Sequence, residues 1–184
     1  LELFARGLIR RQRSGLNRRL TAEVSAIIAE IDIDVDSIDW SRARWRRITA
    51  RIANEIREGL AVNATALKTE LRALAQQERQ WSTANLGSDL EAPSRRRVRA
   101  VVNQDHDGGT IDEWFAAASI RMATSVITSL RRASRVPGAN VSDLLEAVRG
   151  TRGGRQGGAL TRWFHQIDAI VATTVFSVSN KVRE

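Results

Sequence analysis

The chain has 184 residues and no cysteine, so neither a disulfide nor a thiolate metal centre is open to it. Hydrophobic residues make up 42% of it, enough for a real core, yet no apolar run approaches the roughly 20 residues that a membrane-spanning helix needs. Lysine and arginine total 29 against 21 acidic residues, a formal net charge of +8, and every basic residue except Lys68 and Lys181 is arginine.

The first 19 residues lack both the apolar stretch and the small-residue cleavage site of a signal peptide, and the first residue is Leu1, so the chain is expected to start inside a longer product. Leu16, Leu20, Val24, Ile27, Ile28 and Ile31 recur at steps of three and four, which predicts an amphipathic helix. Arg10, Arg11, Arg13, Arg18 and Arg19 decorate its early part. After Ile31 the period changes: Ile33 and Val35 alternate with Asp32, Asp34 and Asp36, as in an extended connector.

Ser41, with Asp39 beside it, is placed to cap a second helix. Trp45, Ile48, Ile52, Ile56, Leu60, Leu67, Leu71, Leu74 and Trp81 keep helical spacing almost without interruption, with Gly59 the one candidate break. One bent helix or two consecutive ones would fit. Residues 1–86 are therefore expected to form a long antiparallel helical hairpin with a coiled-coil-like seam.

Periodicity disappears between Leu86 and Thr110, where Gly87, Pro93, Gly108 and Gly109 punctuate a stretch holding Arg95, Arg96, Arg97 and Arg99. Residues 87–109 read as a basic loop region. Ile111, Trp114, Phe115, Ala118, Met122, Ile127 and Leu130 restore a helix that Pro137 and Gly138 stop, and Ser142 is placed to cap a short helix with Leu144, Leu145 and Val148. After the glycine-rich Gly150 to Gly158, a last helix carries Trp163, Ile167, Ile170, Val171, Val175 and Val178. The expected fold is all-α, residues 110–184 forming a smaller C-terminal helical region with irregular loops. No repeat and no strand-helix alternation is visible.

Three patterns suggest chemistry and fail on detail. Asp32, Asp34, Asp36 and Asp39 look like a calcium loop, but Ser37 stands where glycine is needed and Ala43 where a bidentate Glu is needed. Asp105, His106 and Asp107 hold metal-ligand types, but the other histidine, His165, is remote and Asp-His-Asp-Gly-Gly is good turn chemistry in its own right. Gly153, Gly154, Gly157 and Gly158 imitate a phosphate loop, yet Ala159 and Leu160 follow where Lys and Ser or Thr should stand. No nucleophile, acid-base pair, metal or cofactor site is expected, and a virion-associated enzyme ranks third among the functions considered.

Two readings of the arginine excess stay open. One is contact with a polyanion, for which guanidinium groups form bidentate pairs with phosphate and release counterions, Arg10 to Arg19 and Arg95 to Arg99 being the candidate nucleic-acid contacts. The other is a GC-rich coding sequence whose arginines pair with carboxylates on solvated faces. Arg42, Arg44, Arg46, Arg47 and Arg51 surround Trp45 but lie on a helix and should fan around it. The tryptophans, Trp40, Trp45, Trp81, Trp114 and Trp163, mostly follow apolar stripes and are expected in the core or at an interface, with base stacking the alternative.

From Gly138 onward the residues fall into a recognisable order. Gly138 is followed by Ser142-Asp143, a short helix, Arg149-Gly150-Thr151-Arg152, a glycine-rich stretch, then Ile170-Val171-Ala172-Thr173-Thr174-Val175, Val178-Ser179-Asn180 and Arg183-Glu184. This order and spacing resemble the C-terminal signature of the phage head morphogenesis, or minor head, proteins. Ala172 departs from the family's usual Arg, and Phe176 from a common polar residue. The resemblance implies a low-copy structural protein of a tailed-phage virion, in the head interior or near the portal, made in the host cytoplasm. Its partners would be portal or capsid proteins and like subunits, with packaged DNA nearby, and its work would be head assembly, DNA packaging or DNA ejection. It carries over no active site. The long stripe, with Trp45, Leu67, Leu71, Leu74 and Trp81 as candidate interface residues, is expected to leave apolar surface exposed and so to drive oligomerisation.

Overall fold

The computed structural model describes residues 2–31, 38–86, 94–151 and 157–183. The acidic connector, Gly87, Pro93 and most of the glycine-rich segment lie outside these residues, as do the side chains of Trp81 and Arg95. Among the described residues there are six helices and no strand: α1 (Glu2–Ala29), α2 (Ala43–Leu86), α3 (Arg95–Asn103), α4 (Ile111–Ala133), α5 (Val141–Arg149) and α6 (Ala159–Arg183). The protein is all-α. None of the described helices is long and apolar enough to cross a membrane.

Cross-helix pairs fix the directions. Arg11 meets Glu70 and Arg51 meets Glu30, so α1 and α2 run antiparallel as a hairpin. Lys68 meets Asp112 while Trp40, just before α2, bonds Ser134, just after α4, so α2 and α4 are antiparallel too. Arg13 joins α1 to Asp168 of α6. The result is an up-down-up-down bundle of α1, α2, α4 and α6, closed by contacts of α6 with both α1 and α2. Each long helix contributes its apolar stripe to one continuous core.

The hairpin is therefore not a free arm: α2 packs more extensively on α4 than on α1, and residues of all six helices share the core. Trp45, Leu67, Leu71 and Leu74, expected at an interface, are at most 4% exposed within this core. The stripe already has its partners, because α4 and α6 of the same chain cover it. The large apolar residues that remain exposed among those described, Val62, Ile120, Val136 and Phe176, lie on different elements rather than along the stripe.

Gly59 does not break α2, which runs 44 residues through it. Its missing side chain lets Leu20 of α1 pack against the α2 backbone. At the start of α2 the Ser41 hydroxyl turns back to Asp39 Oδ1 at 2.6 Å instead of capping the helix.

The basic loop reading of 87–109 gives way at Arg95–Asn103, which is helix α3. Ser94 caps it by accepting from the Arg97 amide at 3.2 Å, and Val98, Val101 and Val102 bury one side against α2 and α6. Three valines among four arginines make a real amphipathic turn, but one too short to stand out as a period. At 1.5 Å per residue α2 spans about 66 Å and α4 about 34 Å, so α2 overhangs α4 by several turns, and α3 packs on α2 and α6 ahead of α4.

Candidate functional site

Among the described residues, the segment from Asn140 through α5 to the start of α6 forms one connected structural unit. Asn140, rather than Ser142, caps α5: its side chain accepts from the amides of Ser142 and Asp143, while the Asp143 carboxylate accepts from the Asn140 amide at 2.8 Å. Asn140 wins because its extended backbone already points its side chain at the free amides; Ser142 lies inside the first turn. At the other end Gly150, with φ 92° and ψ 167°, adopts a conformation reserved for glycine and donates its amide to Glu146 O at 2.7 Å. Gly150 then bridges to Gly157, and Gly158 lies so close to the backbone of Gly150 and Val148 that no Cβ fits. Thr161 Oγ1 donates to Arg149 O at 3.1 Å and ties the start of α6 to the end of α5.

Along α6, Ile167, Val171, Val175 and Val178 are buried, and Thr174 is buried with its hydroxyl bonded to the Ile170 and Val171 carbonyls. Ala172 is half-buried, and Phe176 is turned outward. These residues cap, turn and pack; they do not converge as acid, base and nucleophile.

The Asp105-His106-Asp107 segment is a turn, with Asp107 at φ 63° and Gly108 at φ 93°, and the Gly108 amide bonds Asp105 Oδ1 at 2.7 Å. No group of three or more metal-ligating side chains occurs among the described residues. Sequence reasoning missed where His106 goes: its ring is fully buried, Nε2 3.1 Å from the Val102 carbonyl and Nδ1 3.0 Å from Ser177 Oγ of α6. A carbonyl can only accept, so Nε2 carries the proton and Nδ1 accepts from the serine. Burial holds the pKa of His106 below its usual 6.5, and the Lys181 charge adds to this against the opposing Val102 bond. Lys181 itself donates to the Asp105 carbonyl, clasping the turn to α6.

The candidate nucleic-acid contacts separate into distinct roles. Arg11 and Arg13 reach opposite flanks of α1, to Glu70 at 3.4 Å and Asp168 at 3.0 Å, and hold the helix onto α2 and α6. Arg10, Arg18 and Arg19 are exposed and have no ion-pair partner among the described residues. Arg96, Arg97 and Arg99 of α3 are likewise exposed. Three of these basic residues, Arg95, Arg96 and Arg97, stand in the first turn of α3, where cations oppose the helix dipole. The two sets sit on separate helices, each resting on α2 and α6.

The arginines around Trp45 fan out as expected: Arg42 pairs with Asp39, Arg44 lies over the Trp45 ring at 5.3 Å and Arg51 pairs with Glu30, lowering the Glu30 pKa through their hydrogen bond. Arg131, from the far end of α4, lies over Trp40 at 5.9 Å, a contact that no local pattern announces because it requires the antiparallel pairing of α2 with α4. Trp40, itself 5.8 Å from Trp45, walls a hollow of about 600 Å³ that also holds Asp39 and Arg135. Compared with protein-family models, curated proteins and solved structures, the chain returns no match.

Proposed function

We propose that this chain is a structural component of a tailed-phage particle, a minor head protein that works by binding portal, capsid or like subunits during head assembly, DNA packaging or DNA ejection. What supports this reading is the segment from Gly138 onward. Several residues that resemble the minor head family have structural roles: Asp143 accepts from the Asn140 amide at the start of α5, Gly150 makes the turn and the bridge to Gly157, and Val171, Val175 and Val178 lie on the buried face of α6. A signature made of caps, glycine-only backbone and core positions is that of a folding unit, which fits a family recognised by its scaffold rather than by a reaction. The role is binding, not catalysis.

Mass spectrometry and cryo-electron microscopy of purified procapsids and virions test the reading. The chain is expected in the particle at a reproducible low copy number. Its absence from both would overturn the assignment.

A further inference from the structure

We infer that the outer crest of α1 is a contact surface for the phosphate backbone of duplex DNA. Arg6, Arg10, Ser14 and Arg18 follow one another at steps of four, and all four are exposed. On a helix each step of four turns about 40°, so the row rises about 18 Å while winding about 120° across the outer side of α1, with about 6 Å between successive members. The row crosses the exposed side of α1 from the flank of Arg13, tied to Asp168 of α6, to the flank of Arg11, tied to Glu70 of α2. The same two ion pairs link this part of α1 to α2 and α6.

Within this stretch of the chain the side-chain charges are all positive. From Leu3 to Ala22 there are six arginines and no acidic residue. This concentration of positive charge on the crest attracts a polyanion. Its composition selects among polyanions. Among the described side chains the exposed positions around the row are Arg11, Gly15, Asn17, Arg19 and Ala22, none of them a large apolar or aromatic residue of the kind that forms the desolvated centre of a protein interface. Exposed guanidinium groups spread over the outer side of a helix suit successive phosphates, with which they make bidentate pairs. The inference stands on charge and geometry alone and does not need the particle assignment, which rests on the C-terminal residues.

Fluorescence anisotropy of a labelled duplex of about 30 base pairs, titrated with the full chain across a range of salt concentrations, tests it. Duplexes of different sequence should bind alike, with affinity falling steeply as salt rises. The double variant Arg10→Gln, Arg18→Gln should flatten the log–log salt slope by about 2, near 0.9 for each lost phosphate contact, and weaken binding roughly tenfold to a hundredfold at 0.1 M salt. Arg10→Lys with Arg18→Lys should keep most of the slope. If the double neutral variant fails to fold by circular dichroism, each single variant should remove about one unit of slope. No duplex binding by the wild-type chain, or an unchanged slope in the neutral variants, overturns the inference. So does loss of the slope only in Arg96→Gln, Arg97→Gln, which would move the contact to α3. Competition by polyglutamate equal to that by duplex at the same charge concentration also overturns it, in favour of an acidic protein partner. Any of these failures leaves the particle assignment to be judged on particle composition.

Discussion

Leu20 of α1 occupies the space that a side chain on Gly59 of α2 would fill, its Cδ2 only 2.6 Å from where a Cβ would stand. Leu20 is fully buried, so it cannot swing clear without disturbing its neighbours. Gly59→Ala gains about 1 kcal/mol of helix propensity but overpacks the contact, at a cost of about 1–3 kcal/mol, and should be neutral to destabilising. Leu20→Ala alone should cost about 2–5 kcal/mol. In a double-mutant cycle by urea denaturation, Leu20→Ala should cost less beside Gly59→Ala than alone, by about 0.5–3 kcal/mol. Simple additivity would mean that the two positions do not share this space.

The buried His106 ring should make stability depend on pH. Its pKa is lowered in the folded chain, so between the folded value and 6.5 the unfolded chain binds more protons. The contribution of the neutral ring is thus fully present above pH 6.5 and is lost progressively as pH falls through that window. Unfolding midpoints measured from pH 7.5 to 5 should decline in the wild type and decline less in His106→Asn, even though the variant is weaker at neutral pH. Parallel profiles would place the titration elsewhere.

Gly150 and Gly158 should tolerate no side chain, for different reasons. Gly150→Ala forces a β-carbon into the φ 92°, ψ 167° region, at about 1–3 kcal/mol. Gly158→Ala drives one into the backbone of Gly150 and Val148, which cannot rotate away, and should open the bridge between α5 and α6. Gly138, at φ 74° with nothing near its missing Cβ, is the control and should suffer less on the same change. Thermal denaturation of the three variants should rank them with Gly138→Ala the mildest.

Trp45 and Leu74 are both buried but about 43 Å apart along α2, so they share no partner. Trp45→Ala should cost about 3–5 kcal/mol and Leu74→Ala about 2–5 kcal/mol of folding stability, additively to within about 0.5 kcal/mol. Sedimentation of each folded variant should match that of the wild type at the same concentration, because neither side chain is presented to a partner. A variant that shifts the association state without lowering stability would restore the interface role first expected of them.

The long stripes of α2, α4 and α6 were legible in the sequence because six to nine apolar positions hold one period in each. Helix α3 was not, since Val98, Val101 and Val102 are too few to outweigh the arginines around them. Pairing was invisible for a different reason: Glu70 lies 59 residues from Arg11 and Asp168 lies 155 from Arg13, so no local pattern separates these tethers from the exposed Arg10 and Arg18. His106 was masked by its own neighbours, because Asp-His-Asp-Gly-Gly has the composition of an exposed turn while the ring is drawn beneath it by Ser177 and the Val102 carbonyl. The spacing of Arg6, Arg10, Ser14 and Arg18 acquires meaning only with a helix that begins at Glu2, ahead of the apolar stripe that marks α1 from Leu16 onward.

The overhang of α2 beyond α4 divides the molecule into parts of unequal resistance to opening. Where α2 runs beside α4, eight buried residues of α4 seal its amides; α3 offers Val98, Val101 and Val102. Local opening draws on the region with the least buried apolar contact, so the amides of α3 should exchange with deuterated solvent well before those of α4. The bundle then behaves as a slowly exchanging shaft with one fast-exchanging end, and α3 can detach from α2 and α6 without the rest of the chain unfolding.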